Sequence, residues 1–369
     1  MMNGFCLIFA DNYKNYDIEG FIKNRSLASL PVACRYRVVD FILSSLVKAD
    51  VADIGILTTN NYNSLMDHVG WGKDWNLNRK NGGLKIIPPL AISDTGLARN
   101  KFEALSNASQ YMEGRLQDYC ILADSNIICN IDYEDLLKYH EENNADITVT
   151  VVKRKPQNDE IEMILDNKNR AYDSLYHKNG ADYECNTLLK VTIMHKDLLK
   201  DIIKKGTTLG WEDVVRDYIS KNFNRLNVYA YEVKGYCRVI NSLESYYDFH
   251  MDLLDENISK ELFLSGTEIL TRVRDSVPTS YGEKSSVSNS IFADGCHING
   301  KVENSVIFRD VTIEEGAEVK NCIIMSSTKI KAGAKLDYVI TDKEVVITEG
   351  KELKGDRNCQ FIVPKKKNI

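Results

Sequence analysis

Three glycines, at 316, 333 and 350, recur every 17 residues, and that period constrains the chain more than any other feature. They sit in variants of one unit: Glu314-Glu315-Gly316-Ala317-Glu318-Val319, Lys331-Ala332-Gly333-Ala334-Lys335-Leu336 and Thr348-Glu349-Gly350-Lys351-Glu352-Leu353. A second register, Ser305-Val306-Ile307, Cys322-Ile323-Ile324 and Tyr338-Val339-Ile340, runs nearly in phase with it. Single aliphatics every few residues, with glycine at the corners, fit a left-handed parallel β-helix of about 18 residues per coil. Glycine suits the corners because it takes positive φ without a steric penalty. A small antiparallel sandwich gives no reason for two successive spacings of 17 residues. About four coils are expected over residues 285–355.

The rest of the chain follows a different pattern. Short apolar runs at Gly4–Ala10, Ile54–Thr58 and Tyr119–Ala123 read as buried strands, and Asp146–Val152 is rich in β-branched residues. Helical spacing over Val38–Val47, Lys101–Met112 and Tyr133–Glu142 separates them. Strands alternating with helices predict an α/β domain whose mostly parallel sheet is covered by helices. Ligands bind such sheets at the C-terminal strand ends, so the loops after Ala10 and Ala123 are where chemistry is expected. The expected division is an α/β domain over 1–256, a connector over 257–284 holding Pro278 and Gly282, the β-helix over 285–355 and a tail over 356–369.

Charge and cysteine usage narrow the function classes. Lys+Arg 47 against Asp+Glu 53 gives a net charge of −6, the wrong sign for a protein that grips nucleic acid through phosphates. No apolar run has the length of a membrane span, and Met1–Asp11 lacks the features of a signal peptide. The nine cysteines are scattered without a CxxC, and the six histidines show no metal-ligand spacing. Reduced thiols in a cytoplasmic protein are expected, with neither a zinc motif nor a disulfide framework.

Local strings then point to a family. Arg35-Tyr36-Arg37-Val38-Val39-Asp40-Phe41, Ile54-Gly55-Ile56-Leu57-Thr58, His68-Val69-Gly70 and Ile86-Ile87-Pro88-Pro89 resemble, in order, segments of bacterial ADP-glucose pyrophosphorylase, the glucose-1-phosphate adenylyltransferase family. Arg238 and Ser242–Leu254 resemble a later stretch of the same family. The resemblance covers essentially the whole chain. It implies a nucleotidyltransferase-like (Rossmann-like) N-terminal fold joined to the β-helix. It also implies a reaction in which ATP and glucose 1-phosphate give ADP-glucose and pyrophosphate with Mg²⁺.

The residues that would carry this reaction are largely replaced. The family places a glycine-rich loop after the first strand, where backbone N–H groups cradle the triphosphate. Here the strand runs into Asp11-Asn12-Tyr13-Lys14-Asn15-Tyr16-Asp17-Ile18-Glu19, without glycine and with three carboxylates. Each carboxylate within reach of a phosphate repels it by roughly 1 to 4 kcal/mol at 4 Å. Of the two metal-binding aspartates the resemblance implies, Asp124 is present and Val239 stands at the second position. Asp124 is thus a relic position, with a strand-end capping role as its alternative, and this chain is expected to hold no metal of its own. The family's Glu-Lys-Pro triplet falls on Tyr176-His177-Lys178, its Gly-Thr-Ala-Asp-Ala stretch on Asn100-Lys101-Phe102-Glu103-Ala104, and its Ala-Lys-Pro on Leu27-Ala28-Ser29. Phe102 is expected to intrude where a nucleotide would lie.

A basic cluster remains. Arg25, Arg35 and Arg37 are expected to bind an effector: the resemblance matches Arg25 and Arg37 to positions where the family binds phosphorylated regulators, and arginine suits bidentate contact with phosphate. The alternative for Arg35 and Arg37 is pairing with Asp40 at a solvated surface. Trp71, Trp75 and Trp211 are candidates either for stacking on a base or for packing. The family contains shorter, regulatory-type chains that have lost the glycine loop, and this sequence resembles one of them. The resemblance implies a catalytic ADP-glucose pyrophosphorylase subunit as partner, in a hetero-oligomer or homo-oligomer, with Mg²⁺ in that partner and a phosphorylated sugar effector. An active sugar-1-phosphate nucleotidyltransferase with an altered phosphate loop is the alternative.

Overall fold

The computed structural model describes residues 2–11, 18, 25–59, 61–80, 82–89, 100–264 and 268–369. Most of the altered phosphate loop, Asn12 to Asp17 and Glu19, therefore lies outside the described residues. The chain packs as two compact units. The described parts of the first are the segments up to 11, 26–28 and most of 41–239; those of the second are Ile18, Arg25, 29–40 and most of 240–369. The packing boundary at 239/240 thus falls inside the 1–256 span read from the sequence.

The first unit is built on a nine-stranded mixed sheet. Its strands are β1 (Gly4–Phe9), β2 (Asp53–Leu57), β3 (Gly83–Ile87), β4 (Tyr119–Asp124), β6 (Ile147–Arg154), β7 (Glu160–Leu165), β8 (Ala171–His177), β9 (Cys185–His195) and β10 (Val228–Glu232). The strand order is β8-β7-β9-β4-β1-β2-β3, with β6 pairing with β9 and β10. The centre is parallel: β1 pairs with β2 and β4, and β2 with β3. Every residue of β1 is buried, as a strand covered on both faces requires. The sheet turns antiparallel at β9, which runs against β4, β6 and β7. A separate pair, β5 (Ile127–Cys129) with β11 (Cys237–Val239), sits just beyond the end of β4.

Helix α1 (Lys101–Asn107) starts at a true cap, because the Asn100 side chain accepts the backbone N–H of Glu103 at 2.9 Å. The helical pattern over Lys101–Met112 is broken at Ala108 into two short helices rather than one. Helix α2 (Lys196–Leu209) packs against α1 through Gly206, where an added Cβ would clash with the ring of Phe102. Phe102 is consequently a core residue, edge-on to Trp211 at 5.8 Å, and does not fill a nucleotide's place as its position in the sequence had suggested. Trp75 is fully buried as well, whereas Trp71 is exposed.

In the second unit three parallel sheets of five short strands each stack along one axis. Their inward aliphatics, among them Ile298, Ile313, Ile330 and Ile347 on one face, form a continuous core. Gly316, Gly333 and Gly350 occupy one stacked corner with φ between +66° and +74°. Nothing but the neighbouring glycine comes within 4 Å of an added Cβ at 316 or 333, so conformation rather than space selects glycine there. Another corner is held by asparagines at positive φ: Asn289 donates to Asn304, Asn304 to Asn321, and Asn321 to Asp337. The coils begin before residue 285, with Ser280–Tyr281, and Phe361–Val363 from the presumed tail supplies the fifth strand of the third face.

Candidate functional site

Parallel pairing sets Phe9 at the end of β1 opposite Asp124 at the end of β4. The carboxylate of Asp124, 3% exposed, thus lies where a sheet of this kind presents its ligand groups. The segment after β1 is tied down next to it. The Asp11 carboxylate accepts the Thr59 hydroxyl at 2.6 Å and the Leu27 backbone N–H at 2.9 Å, and Ala28 N–H bonds the Ala10 carbonyl at 2.9 Å. Of the three loop carboxylates, Asp11 is therefore occupied as a structural clasp; Asp17 and Glu19 lie outside the described residues.

Asp124 faces a lysine. The Lys101 ammonium donates to its Oδ1 at 2.5 Å, with both side chains 10% exposed or less. The same ammonium sits 4.9 Å from the centre of the Phe9 ring and 3.9 Å from Asp213 Oδ2. A second cation, Lys190, lies 4.0 Å from Asp124 Oδ2. Lys190 has φ +55° within a bulge of β9 between Leu188 and Thr192. Bulges of this kind re-aim a side chain. Asp213 caps the short helix Val214–Asp217 by accepting the N–H groups of Val215 and Arg216, both at 3.0 Å. Burial works against its charge, but Lys101, Lys190 and the Arg216 N–H outweigh it and hold the carboxyl below its usual range.

Val239 lies opposite Ile127 in the β5–β11 pair, three positions beyond Asp124 in the chain. The second metal position is therefore a side chain without a donor, and the first is a carboxylate already neutralised. A divalent cation would have to displace the Lys101 ammonium and would meet Asp124 there, with Asp213 already committed to capping a helix, whereas Mg²⁺ needs near-octahedral oxygen ligation. The residues present do not fit Mg²⁺.

Two of the three arginines lie against named partners. Arg25, 6% exposed, places one guanidinium nitrogen 2.8 and 2.6 Å from the two carboxylate oxygens of Asp342, while its Nη1 is buried without a hydrogen-bond partner among the described residues. Arg37 donates to the Ser29 carbonyl, and its backbone N–H bonds Asp40 Oδ2 at 2.9 Å. Arg35 is exposed, 5.6 Å from the centre of the Tyr36 ring. Beside Asp342 stands Lys343, whose amine is pushed down to about 7 by burial and by the positive charges of Arg37, Arg25 and Arg274. Sequence reading missed Lys343, Lys101 and Lys190. Lys101 was visible only as a residue in a degenerate string, and its pairing with Asp124 depends on a helix cap and a strand end brought together by the fold.

Comparison with known proteins agrees with both architectures. The nucleotidyl transferase profile matches residues 23–162, and the GlmU-like C-terminal hexapeptide profile, a left-handed β-helix repeat, matches 275–360. The glycogen biosynthesis protein GlgD of Bacillus subtilis (strain 168) is 33% identical over 350 residues, 95% of this chain and 92% of that protein. The chain belongs to the GlgD family. The Geobacillus stearothermophilus GlgD protein is 36% identical over 306 residues, covering 82% of this chain and 79% of its own length. The glucose-1-phosphate adenylyltransferase of Bacillus mycoides (strain KBAB4) is more distant, at 26% over 360 residues, 95% of this chain and 94% of its own length. Membership of the GlgD family, with adenylyltransferases as further relatives, fits a nucleotidyltransferase frame whose Asp124 carries a lysine. Among the described residues no helix is long and apolar enough to cross a membrane.

Proposed function

We propose that this chain is a regulatory, catalytically silent subunit of an ADP-glucose pyrophosphorylase in bacterial glycogen synthesis, acting in the cytoplasm on a catalytic partner chain that holds the Mg²⁺. The observation that carries this reading is the Lys101 ammonium seated on Asp124, with Val239 at the second metal position. Pyrophosphate departure requires its developing charge to be neutralised by cations at that place. A tethered ammonium neutralises the protein's carboxylate instead and leaves nothing for the leaving group. A silent subunit acts by making different contacts with the active and inactive states of its partner.

The same reading assigns Arg25 and Arg37, together with Lys343 and Arg274, to a phosphorylated sugar effector, with Arg35 at the periphery. The buried, unpartnered Nη1 of Arg25 and the depressed Lys343 amine support this, because both mark positive charge held together at a cost that an anion would relieve. The test is ADP-glucose formation by the purified chain alone, by a catalytic subunit alone and by the mixture. No turnover alone, a stable complex and an altered rate or effector response in the mixture are expected. Substantial Mg²⁺-dependent turnover by this chain alone would favour the active-transferase reading and overturn the proposal, as would the absence of a complex.

A further inference from the structure

On the antiparallel side of the first unit, three strands bring together side chains far apart in sequence. Glu162 comes from β7, His177 from the end of β8 and Cys185 from the start of β9, and their donor atoms all lie within 4.8 Å of one another. His177 Nε2 is 2.9 Å from Glu162 Oε2. The Tyr183 hydroxyl donates to the same oxygen at 2.8 Å, and Thr187 Oγ1 lies 3.5 Å from Cys185 Sγ. These contacts orient the carboxylate and the thiol, as outer partners do in metal sites. His177 and Cys185 are 8% and 9% exposed. The neighbouring Arg154 is turned onto Glu160, at 2.7 and 2.8 Å.

The geometry points to a zinc site: Glu162, His177 and Cys185 as three protein ligands, with a fourth position for water. A thiolate, an imidazole and a carboxylate form a donor set that suits Zn²⁺ and discriminates against Mg²⁺. Zinc bonds of about 2.0 to 2.3 Å place tetrahedral donors about 3.3 to 3.8 Å apart, so side-chain adjustments of about 1 Å close the cage. On binding, the Cys185 thiol gives its proton to solvent, His177 gives up the Nε2 proton it shares with Glu162 and keeps one at Nδ1, and Zn–S, Zn–N and Zn–O bonds replace the S–H bond and the His177–Glu162 hydrogen bond. Two anionic ligands balance the ion, and the half-buried site stays neutral. Because the thiol must lose its proton to bind, metal binding grows stronger as pH rises. The ion would clip β7, β8 and β9 where the adenylyltransferase resemblance expects a sugar-phosphate lysine. Local spacing does not signal the site, because the ligands are 15 and 8 positions apart and come from separate strands.

The experiment is zinc and cobalt titration of the chelator-treated full chain. One equivalent of Zn²⁺ by elemental analysis, a thiolate-to-cobalt charge-transfer band with Co²⁺ and a zinc-dependent rise in thermal midpoint are expected, with no competition from Mg²⁺. Cys185→Ser should abolish the band, and Cys185→Ser and His177→Gln should each weaken zinc binding by about 100-fold or more. Cys359→Ser, at an exposed thiol elsewhere, should retain both. The variants are compared by circular dichroism without metal, and Glu162→Gln serves in place of any that fails to fold. No stoichiometric zinc binding, or unchanged affinity in a folded Cys185→Ser or His177→Gln, overturns the assignment.

Discussion

Replacing Lys101 by methionine keeps most of the unbranched side chain and removes the cation seated on Asp124. At 2.5 Å and an effective dielectric near 20, the pair attracts by about 6 to 7 kcal/mol. Lys190, at 4.0 Å, attracts the same carboxylate by about 4 kcal/mol on the same scale. Much of this gross attraction offsets desolvation, and removing one partner of a buried pair costs about 3 to 5 kcal/mol. Because Lys190 remains, Lys101→Met should lose about 3 kcal/mol, which lowers the thermal midpoint by about 6 to 12 °C in a unit of this size. Urea unfolding of Lys101→Met, Asp124→Asn and the double variant closes a thermodynamic cycle. The double variant should recover at least about 1.5 kcal/mol of the summed losses. Lys101→Met combined with Val239→Asp should respond to Mg²⁺ with a raised midpoint, whereas the natural chain should not. A single-variant loss below about 1 kcal/mol with no coupling would refute the idea that the ammonium is what occupies Asp124.

Stability should fall as pH drops below neutral. His250 accepts the Ala33 N–H at Nε2 and donates from Nδ1 to the Tyr246 carbonyl, and burial pushes it down to about 4; His140 is pushed down to about 4 in the same way. The unfolded chain takes up these protons near 6.5 and the folded chain only near 4, so stability is lost from about pH 6.5 downward, by up to about 3 kcal/mol for each histidine. A flat urea midpoint between pH 7 and 4.5 would contradict this. Binding of inorganic phosphate or a sugar phosphate beside Lys343 should take up a proton at pH 7.5 to 8, because the anion raises an amine now held near 7. Calorimetry in buffers of different ionisation enthalpy checks it, and Arg25→Gln should abolish the uptake. Gly206→Ala gains helix propensity of about 1 kcal/mol but collides with Phe102, so a net loss of about 2 kcal/mol in unfolding free energy is expected.

Much of the fold was legible because its signals are local. The 17-residue period gave the β-helix, since each coil repeats the same φ requirement, and the buried apolar runs gave the central strands. The helix break at Ala108 was hidden because Lys101–Met112 keeps its apolar spacing across the interruption. The fifth strand at Phe361–Val363 was hidden because it follows a longer excursion than the other coils. At the site, the replaced residues could be read one at a time, but what replaced them could not. Phe102 resembled an obstruction and is core, while its neighbour Lys101 is the side chain that reaches Asp124. Lys190 reaches the same carboxylate through a bulge that no pattern of residue types announces.

The asparagine corner of the second unit has a consequence for how such a unit changes length. Each amide donates to the coil after it, Asn304 and Asn321 also accept from the coil before, and the relay ends on the Asp337 carboxylate. Removing one whole coil leaves the remaining donors and acceptors still matched, whereas removing a fraction of a coil breaks the relay and turns inward aliphatics outward. Growth and shortening are therefore possible only in whole turns. Any surface that docks along this edge meets rungs spaced by about 4.8 Å, a ruler that mutation can lengthen or cut but not stretch.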